Sequence, residues 1–359
     1  MTSEFTNAAP PYSAQRASRS GATIIGTRGS QLAMWQTTWV LDRLRRLAPA
    51  AEWQVREITT RGDQTQALDI PLTQLGDKSM FVAELERALL AGALDVAVQP
   101  LNDVALVEAE ARRAGRTTRV DAAVHSLKDL PGHLTSGLTI AAIPIREDPR
   151  DALVSRHGLR LRDLPQGAIV ATSSLRRRAQ LLHLRPDLRI VSIRGNVDTR
   201  LRKTLASDGP DATVLAVAGL KRLGLEEHIT EYLPTETLVP AVGQGALAVE
   251  ARADDTATLR LLRGIDDLPT RRAVTAERAV LATLGGGCQV PLGAHAILSP
   301  DGATLRLLAV VASLDGARVV RVEREGPASR PATLGRDVAR TLLREGARAI
   351  LDEIQRTGT

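Results

Sequence analysis

The stretch Ala168-Ile-Val-Ala171-Thr172-Ser173-Ser174-Leu175-Arg176-Arg177 joins a short apolar run to a helical pattern through three hydroxyl residues. The apolar run predicts a strand over 168–171, and the pattern after it predicts a helix over 175–184. Strand and helix patterns then alternate again, and this alternation indicates an open α/β sheet. The later elements are strands over 189–193 and 213–217 and a helix over 199–205.

The same alternation begins at residue 22, well before this unit. A polar, proline-containing stretch at 146–151 separates the two α/β units and is a plausible hinge. From about Asp267 a third unit follows, with a helix, three strands and a last helix over 334–354. A chain of 359 residues is too long for one compact core, so three domains are expected.

The amino-acid composition limits the kinds of molecule that this chain is expected to bind. The chain has a net charge of +6 and is 43% hydrophobic, which is typical of a globular protein with an anionic partner. Nucleic acid is a poor candidate, because only seven aromatic residues could stack on bases and no zinc-finger, RNA-recognition or basic-zipper pattern occurs. A P-loop and a Rossmann glycine pattern are also missing from the sequence, so a nucleotide is not expected.

The cysteine content and the hydropathy of the chain bear on its compartment. A single cysteine argues against a disulfide framework and a cysteine-rich zinc site, and it fits a reducing compartment. No apolar run approaches the ~20 residues that a membrane span needs. Residues 1–21 lack the apolar core of a secretory signal and are expected to form a disordered tail.

Four strand-to-helix turns carry hydroxyl, amide and arginine side chains. Ligands of open α/β sheets bind at the carboxyl ends of strands, and helix N-termini there attract anions. Arginine adds a planar fork that matches a carboxylate or phosphate. One such turn would be weak evidence because serine caps are common, but four together predict a cleft for a polyanion. The side chains concerned are Arg28, Ser30, Thr172, Ser173, Ser174, Arg176, Arg177, Arg194, Asn196, Arg200 and Arg222.

One carboxylate is distinguished by its position. The stretch Ala123-Val-His125-Ser126-Leu-Lys128-Asp129-Leu-Pro131 places four polar side chains at the end of an apolar strand, before a proline that stops strand pairing. Asp129 is therefore the candidate functional carboxylate, and a surface salt bridge is the plain structural alternative. A Ser–His–Asp hydrolase is poorly supported, because His125 and Ser126 are adjacent and their side chains diverge in a strand.

The cysteine follows three glycines in Gly285-Gly-Gly-Cys288-Gln-Val-Pro291, at the end of a helical pattern over 271–284. The glycines leave the backbone free to adopt positive φ angles. Composition alone favours a helix C-cap with a small buried thiol. The alternative is a thiol displayed on a loop as a tether or nucleophile, and the pattern by itself leaves both open.

These motifs occur in an order that resembles the hydroxymethylbilane synthase family, also called porphobilinogen deaminase. The resemblance runs from about residue 22 to 300, and Ser79 departs from the glycine that family members commonly have after the lysine. The matching stretches are 27–30, 60–63, 76–78, 123–131, 146–151, 172–177, 194–200, 215–224, 240–245 and 286–291.

The resemblance implies a transferase of tetrapyrrole and heme synthesis that joins four porphobilinogen molecules head to tail, releases ammonia and finally releases linear 1-hydroxymethylbilane. It implies a covalent dipyrromethane cofactor joined by a thioether to Cys288, and Asp129 as the catalytic carboxylate. It also implies a cytoplasmic monomer that has porphobilinogen as its partner and uses no nucleic acid, membrane, metal or nucleotide. The implied cofactor- and substrate-binding residues are Arg28, Ser30, Lys78, His125, Ser126, Lys128, Thr172, Ser173, Ser174, Arg176, Arg177, Arg194, Asn196, Arg200, Arg222 and Gln244.

The fold that the resemblance implies has two α/β lobes like those of type II periplasmic binding proteins and a smaller α+β C-terminal domain. Residues 22–145 with 241–264 would form the first lobe, 146–240 the arginine-rich second lobe, and 265–359 the third domain with the Cys288 loop.

A partial duplication interrupts the first lobe. Asp95-Val-Ala-Val-Gln-Pro-Leu-Asn-Asp103 resembles residues 121–129. The second copy is expected to be the catalytic strand, because the family pattern continues beyond it. Residues near 96–120 would then form a surface insertion, and chance similarity between two short strands is the alternative.

Two rival classes stay open at this point. The first is a non-catalytic two-lobed protein that binds small anions, which predicts no covalent adduct on Cys288. The second is a basic nucleic-acid-binding protein, which predicts a steeply salt-dependent affinity for DNA or RNA.

Overall fold

The computed structural model describes residues 22–60, 82–91, 120–285 and 290–357. Several sequence predictions therefore concern residues outside the described ones. These are the tail over 1–21, Lys78, the partial copy over 95–103 with nearly all of the expected insertion, and Cys288.

The described residues form three sheets and their covering helices. The strands are β1 Thr23–Thr27, β2 Trp53–Glu57, β3 Ala122–Ser126, β4 Leu138–Ala142, β5 Asp151–Ser155, β6 Ile169–Ala171, β7 Arg189–Val191, β8 Ala212–Ala216, β9 Glu231–Leu233, β10 Leu247–Arg252, β11 Leu292–Leu298, β12 Thr304–Ala312 and β13 Val319–Pro327. The α-helices are α1 Gln31–Leu47, α2 Ala83–Ala91, α3 Leu175–Leu184, α4 Val197–Leu205, α5 Val217–Arg222, α6 Thr256–Leu262, α7 Leu268–Leu284, α8 Pro331–Leu342 and α9 Arg348–Thr357. None of these helices combines the length and apolar character that crossing a membrane requires.

Two five-stranded sheets share one strand order. The first lobe has the order β2-β1-β3-β10-β4, and the second has β7-β6-β8-β5-β9. In each sheet the fourth strand is antiparallel to both neighbours. The antiparallel strand β5 carries the chain into the second lobe, and β10 returns it to the first. This exchange of one strand gives the predicted two-lobed arrangement of type II binding proteins.

The strands of both lobes are rich in buried apolar side chains, because helices pack on the sheets. In the first lobe, Leu41 and Leu44 of α1 pack in one core with Ile25 of β1. In the second lobe, Leu181 of α3 packs with Val170 of β6. Each lobe therefore has its own core. The turns that connect strands to helices lie at the carboxyl ends of its parallel strands.

The third domain is an antiparallel sheet of order β11-β12-β13 with α7, α8 and α9. Alternate residues of β12, such as Leu305 and Leu307, join a core with Val338 of α8. The prediction of one continuous helix over 334–354 is wrong. A break over Leu343–Ala347 divides it, where Gly346 has a non-helical φ of 112°.

Candidate active site

The chain passes from the first lobe to the second over residues 143–150, the forward crossing, and back over residues 234–246, the return crossing. Glycines of the return crossing allow close packing. Gly243 and Gly245 have φ angles of 69° and 86°, which residues with a side chain rarely adopt. A Cβ atom on Gly245 would collide with the carbonyl oxygen of Glu147 in the other crossing, and one on Gly243 would collide with Leu127. The return crossing is thus pressed against both the forward crossing and the turn that carries Asp129.

Asp129 lies in a 3₁₀ turn, Leu127–Asp129, that follows β3 directly. The leucines at 127 and 130 anchor this turn, since they are only 1% and 2% exposed. The backbone N–H of Leu127 also donates to the carbonyl of Ala246 at 3.0 Å. The Asp129 side chain itself is half-buried. The turn therefore holds one carboxylate at the carboxyl end of a central strand, where sheets of this kind bind ligands.

Asp129 lies near a group of second-lobe arginines, because its charge acts on Arg200. Burial, together with the positive charges of Arg177 and Arg194, lowers the pKa of Arg200 to about 10, while the charge of Asp129 acts in the opposite direction. Nε of Arg200 donates to the carbonyl of Gly195 at 2.8 Å. Nη2 of Arg194 is buried and has no hydrogen-bond partner among the described residues. The cluster thus holds more positive charge than Asp129 can balance.

Arg176 and Arg177 contact Asp151, the buried first residue of β5 in the second lobe. Nη1 of Arg176 donates to Oδ2 of Asp151 at 2.8 Å, and Nη2 of Arg177 donates to Oδ1 at 2.6 Å. Nε2 of Gln244, from the return crossing, donates to the same Oδ1 at 2.9 Å. Burial alone would raise the pKa of Asp151, but the two guanidinium groups hold it well below its usual range. Three residues that the sequence assigned to binding therefore meet at one buried carboxylate.

The hydroxyl side chains after β6 stabilise the local turns. Oγ of Ser174 accepts from the backbone N–H of Arg177 at 3.4 Å and caps α3. Oγ1 of Thr172 accepts from the N–H of Ser174 at 3.2 Å. Oγ of Ser173 donates to the carbonyl of Ile193 at 2.7 Å. These bonds fix the segments after β6 and β7 against each other, which positions the arginines that both segments carry.

The predicted residues of the first lobe occupy several environments. Oγ of Ser30 accepts from the N–H of Ala33 at 3.3 Å and caps α1, and Oγ of Ser126 accepts from Nε2 of Gln36 at 3.0 Å. His125 is only 5% exposed, so its ring lies inside the lobe. Three more predicted residues are half-buried on segments that follow β1, β3 and β7: Arg28, Lys128 and Asn196.

Arg222 lies between the lobes. Its Nη2 donates to the carbonyl of Gly245 at 2.6 Å, and its guanidinium carbon lies 5.9 Å from the ring centroid of Trp35 in α1. Burial lowers the pKa of Arg222 to about 10, and the charge of Glu147 acts in the opposite direction. This arginine thus joins α5 of the second lobe to the return crossing and to the first lobe.

Sequence reasoning missed a second buried ion pair, which joins the forward crossing to helix α7. Nη1 of Arg146 donates to Oε1 of Glu277 at 2.6 Å, and Nη2 donates to Oε2 at 3.2 Å. Glu277 is 0% exposed and also accepts from the N–H groups of Gly243 and Ala296 at 2.7 and 2.9 Å. The partners are 131 residues apart, so no local pattern marks the pair. The polar stretch at 146–151 indicated only a hinge.

Replacing Glu277 with glutamine is expected to remove a pH-dependent contribution to stability. Burial alone would raise the pKa of Glu277, but Arg146 and His295 lower it from 4.5 to about 2. Such a carboxylate stabilises the folded state above pH ~4.5 and loses that contribution as the pH falls toward ~2, a difference of roughly 3 kcal/mol. Urea unfolding at pH 7 should show a large difference between wild type and Glu277→Gln, and unfolding at pH 3 a smaller one.

The matched control for this comparison is Glu323→Gln, an exposed carboxylate in a pair with Arg306. Its effect on the free energy of unfolding should stay within about 1 kcal/mol at both pH values. A Glu277→Gln difference of equal size at pH 7 and pH 3 would contradict the depressed pKa.

Two family models match the chain. The model described as "Porphobilinogen deaminase, dipyromethane cofactor binding domain" matches residues 23–116 and 106–260, and "Porphobilinogen deaminase, C-terminal domain" matches 271–344. The chain belongs to the porphobilinogen deaminase family. The two matches to the first model overlap over residues 106–116, in the region of the expected insertion.

Curated relatives support this family over nearly the full length. The porphobilinogen deaminase of Desulforudis audaxviator is 49% identical over 332 residues, which cover 92% of this chain and 97% of that protein. The porphobilinogen deaminase of Roseiflexus castenholzii is 51% identical over 327 residues, which cover 91% of this chain and 97% of that protein. The resemblance inferred from the ordered motifs is confirmed.

Solved structures of two-lobed proteins are only distantly similar. The effector-binding domain of BenM with its effector benzoate is 14% identical, covers 68% of this chain and 90% of that chain, and gives a TM-score of 0.37. A Salmonella typhimurium periplasmic binding protein with high arginine specificity is 13% identical, with 68% and 91% coverage and a TM-score of 0.35. The strand order described above, rather than these scores, establishes the two-lobed fold.

The porphobilinogen deaminase family uses a covalent dipyrromethane cofactor, and the described residues fit its carboxylate side chains. Arg194 has a buried donor without a partner in the described chain. The pKa of Arg200 is lowered to about 10 by burial and by neighbouring arginines, and an anionic group bound there would reverse part of that effect. Attachment at Cys288 and contact with Lys78 concern residues outside the described ones and stay predictions.

Proposed function

We propose that this chain polymerises four porphobilinogen molecules head to tail on a covalently held dipyrromethane, with loss of one ammonia per porphobilinogen, and that water then hydrolyses the product from the primer as 1-hydroxymethylbilane. The observation that carries the proposal is one carboxylate, Asp129, whose charge acts on Arg200 within a group of arginines that also includes Arg177 and Arg194, in a chain of this family. A protein that only bound small anions would gain nothing from this carboxylate, because it would repel the carboxylates of the ligand.

Asp129 is proposed to stabilise positive charge on the reacting pyrroles. Departure of ammonia from the aminomethyl group of porphobilinogen leaves a cationic azafulvene, and coupling leaves a cationic pyrrole until its α-proton is lost. A fixed carboxylate near the pyrrole N–H stabilises both charges. At ~4 Å and an effective dielectric constant of ~20 the interaction is worth roughly 4 kcal/mol. This corresponds to about three orders of magnitude in rate.

The arginines are proposed to bind and align the substrate rather than to take part in bond formation. Porphobilinogen has two carboxylate side chains, so a lengthening product presents many negative charges that do not change during the reaction. Arg194 offers these carboxylates a buried hydrogen-bond donor that has no partner among the described residues. Arg200 offers them a buried positive charge. Alignment of this kind lowers the barrier by removing orientational freedom before reaction. When bound, the dipyrromethane supplies the pyrrole α-carbon to which the first substrate is joined.

Cys288 is proposed as the thioether anchor for this primer. Helix α7 ends at Gly285, which has a φ of 67°, three residues before the cysteine. A thioether is permanent, so the thiol would hold the chain and would not turn over. Following the family resemblance and the single cysteine, we further propose a cytoplasmic, monomeric enzyme.

The test is an assay of the purified protein with porphobilinogen as the only pyrrole. We expect one ammonia for each porphobilinogen consumed and one linear tetrapyrrole for every four, detected as porphyrin after oxidation. Saturable binding of porphobilinogen without release of ammonia would support the two-lobed anion-binding protein instead. Salt-sensitive binding of DNA without consumption of porphobilinogen would support the nucleic-acid-binding alternative.

A further inference from the structure

Helix α7 packs against the catalytic turn. Its last residue, Leu284, precedes the glycines before Cys288, and Val274 in its middle packs in one core with Leu127 and Leu130, which flank Asp129. The helix that precedes Cys288 in the sequence therefore packs directly against the turn of Asp129.

Arg278 makes the polar contact between the same two parts. It lies seven residues before Gly285, about two helical turns from the end of α7. Its Nη2 donates to the carbonyl of Pro131 at 2.8 Å and lies 3.3 Å from the carbonyl of Gly132. These carbonyls follow Asp129 by two and three residues. A planar guanidinium suits this task, because one nitrogen can hold two neighbouring carbonyls in a fixed direction.

Behind Arg278 lies a buried polar cluster that contains several unsatisfied atoms. Within the described residues, no hydrogen-bond partner is found for Nη1 of Arg278, both carboxylate oxygens of Glu250, Nε2 of His125 and Oε1 of Glu86. Glu250 is 0% exposed, and His125 Nε2 lies 3.2 Å from its Oε2 without the geometry of a hydrogen bond. Burial lowers the pKa of Arg278, and the negative charge of Glu250 acts in the opposite direction.

The cluster explains why the guanidinium stays in place. An isolated buried carboxylate is unfavourable, so Glu250 attracts the nearby cation. Glu86, on α2, contributes to the same negative surroundings, and its other oxygen accepts from Oγ1 of Thr135 at 2.8 Å. Arg278 is therefore attracted by the charge of Glu250 and donates to the backbone after Asp129.

We propose that Arg278 is a positioning residue that fixes the Asp129 turn against helix α7. This proposal rests on the proposed function, because it assumes that Asp129 acts on a chain anchored at Cys288. A role in balancing the charge of Glu250 alone is the structural alternative. The two roles differ in what happens when the charge of Glu250 is removed together with Arg278.

The experiment compares Arg278→Met, Glu250→Gln and the double variant with wild type. Positioning predicts that Arg278→Met lowers kcat about tenfold or more, since misplacement by about 1 Å can lower rates by up to ~10²-fold, and that KM changes less than about threefold. In the double variant, unfolding stability should return toward wild type because the buried carboxylate of Glu250 is removed together with the guanidinium of Arg278, whereas kcat should stay low. Arg278→Lys should recover stability and part of kcat, because an ammonium keeps the charge and can donate to one carbonyl.

The matched control is Arg272→Met on the same helix, whose Nη1 contacts the carbonyl of Gly302 in the third domain at 3.4 Å. Its kcat should remain within about twofold of wild type, a change of roughly 0.4 kcal/mol in barrier height. Wild-type kcat in the double variant, or in Arg278→Met itself, would overturn the positioning role. If Arg278→Met fails to fold, the kcat values of the double variant and of Arg278→Lys distinguish positioning of the Asp129 turn from balancing of the charge of Glu250. Wild-type protein without turnover would instead refute the proposed function, which keeps the two failures distinct.

Discussion

Replacing Asp129 with asparagine is expected to lower kcat by about three orders of magnitude while the protein stays folded. The substitution removes the negative charge and keeps the shape of the side chain. The turn itself should persist, because the buried leucines at 127 and 130 anchor it and the Asp129 side chain is only half-buried. Single-turnover kinetics with porphobilinogen, beside thermal unfolding of the same preparation, measure both effects.

The control for this change is Asp254→Asn, an exposed carboxylate of the same lobe. Its kcat should equal that of wild type. Asp129→Asn should also retain the mass of any covalent adduct, since the anchor and the carboxylate are different residues. A variant with wild-type turnover would contradict the catalytic role, and so would a loss of activity that parallels a loss of structure.

Replacing Asp151 with alanine should cause the largest loss of stability, about 3–5 kcal/mol. Asp151 is fully buried and accepts from Arg176, Arg177 and Gln244 at 2.6 to 3.0 Å. Without it, two buried guanidinium groups repel each other and lose their acceptor. Arg177 also lies among the charges that surround Arg200, so binding of porphobilinogen should weaken as well. Urea unfolding measures the first effect, and KM the second.

Asp163→Ala is the matched control, because Asp163 pairs with Arg162 on the surface with 3.4 Å between the charged atoms. Its effect should stay within about 1 kcal/mol, as for exposed ion pairs in general. Equal destabilisation by the two substitutions would show that the buried contacts of Asp151 do not stabilise the second lobe more than an exposed ion pair does. A destabilised Asp151→Ala with unchanged KM would separate its structural role from binding.

Much of the fold was predictable from local sequence patterns. Apolar runs and turn residues located most strands, and the helix predicted over 271–284 is present within Leu268–Leu284. The last helix was predicted as continuous because its apolar periodicity passes through the break. In the sequence only Gly346 indicates the break between the two helices. A single glycine inside a helical pattern is weak evidence for a break.

The candidate site was predictable where its residues sit at strand ends. Asp129 ends the turn after β3, Arg194 lies in the turn after β7, and Arg200 lies near the start of the helix that follows it. The rule for ligand binding in open α/β sheets therefore found them. Asp151, Glu277 and Arg278 were not found. Each acts through contacts to residues distant in sequence, such as the 131 residues between Arg146 and Glu277, and no local pattern encodes such pairs.

The arginines at 176 and 177 show a further limit of local patterns. Their position at the start of α3 predicts a ligand-binding role, and it equally suits the buried pair with Asp151 that the structure displays. A helix N-terminus with arginine can serve either purpose. Distinguishing them requires the three-dimensional position of the carboxylate.

The central claim is that a chain of pyrroles grows on Cys288, and intact-mass measurement tests it most directly. Native wild-type protein should exceed its sequence mass by one dipyrromethane. After brief exposure to limiting porphobilinogen it should show further species, each heavier by one pyrrole unit. Cys288→Ser should have the unmodified mass and no such series. An unmodified wild-type mass, or an adduct that persists in Cys288→Ser, would contradict the account.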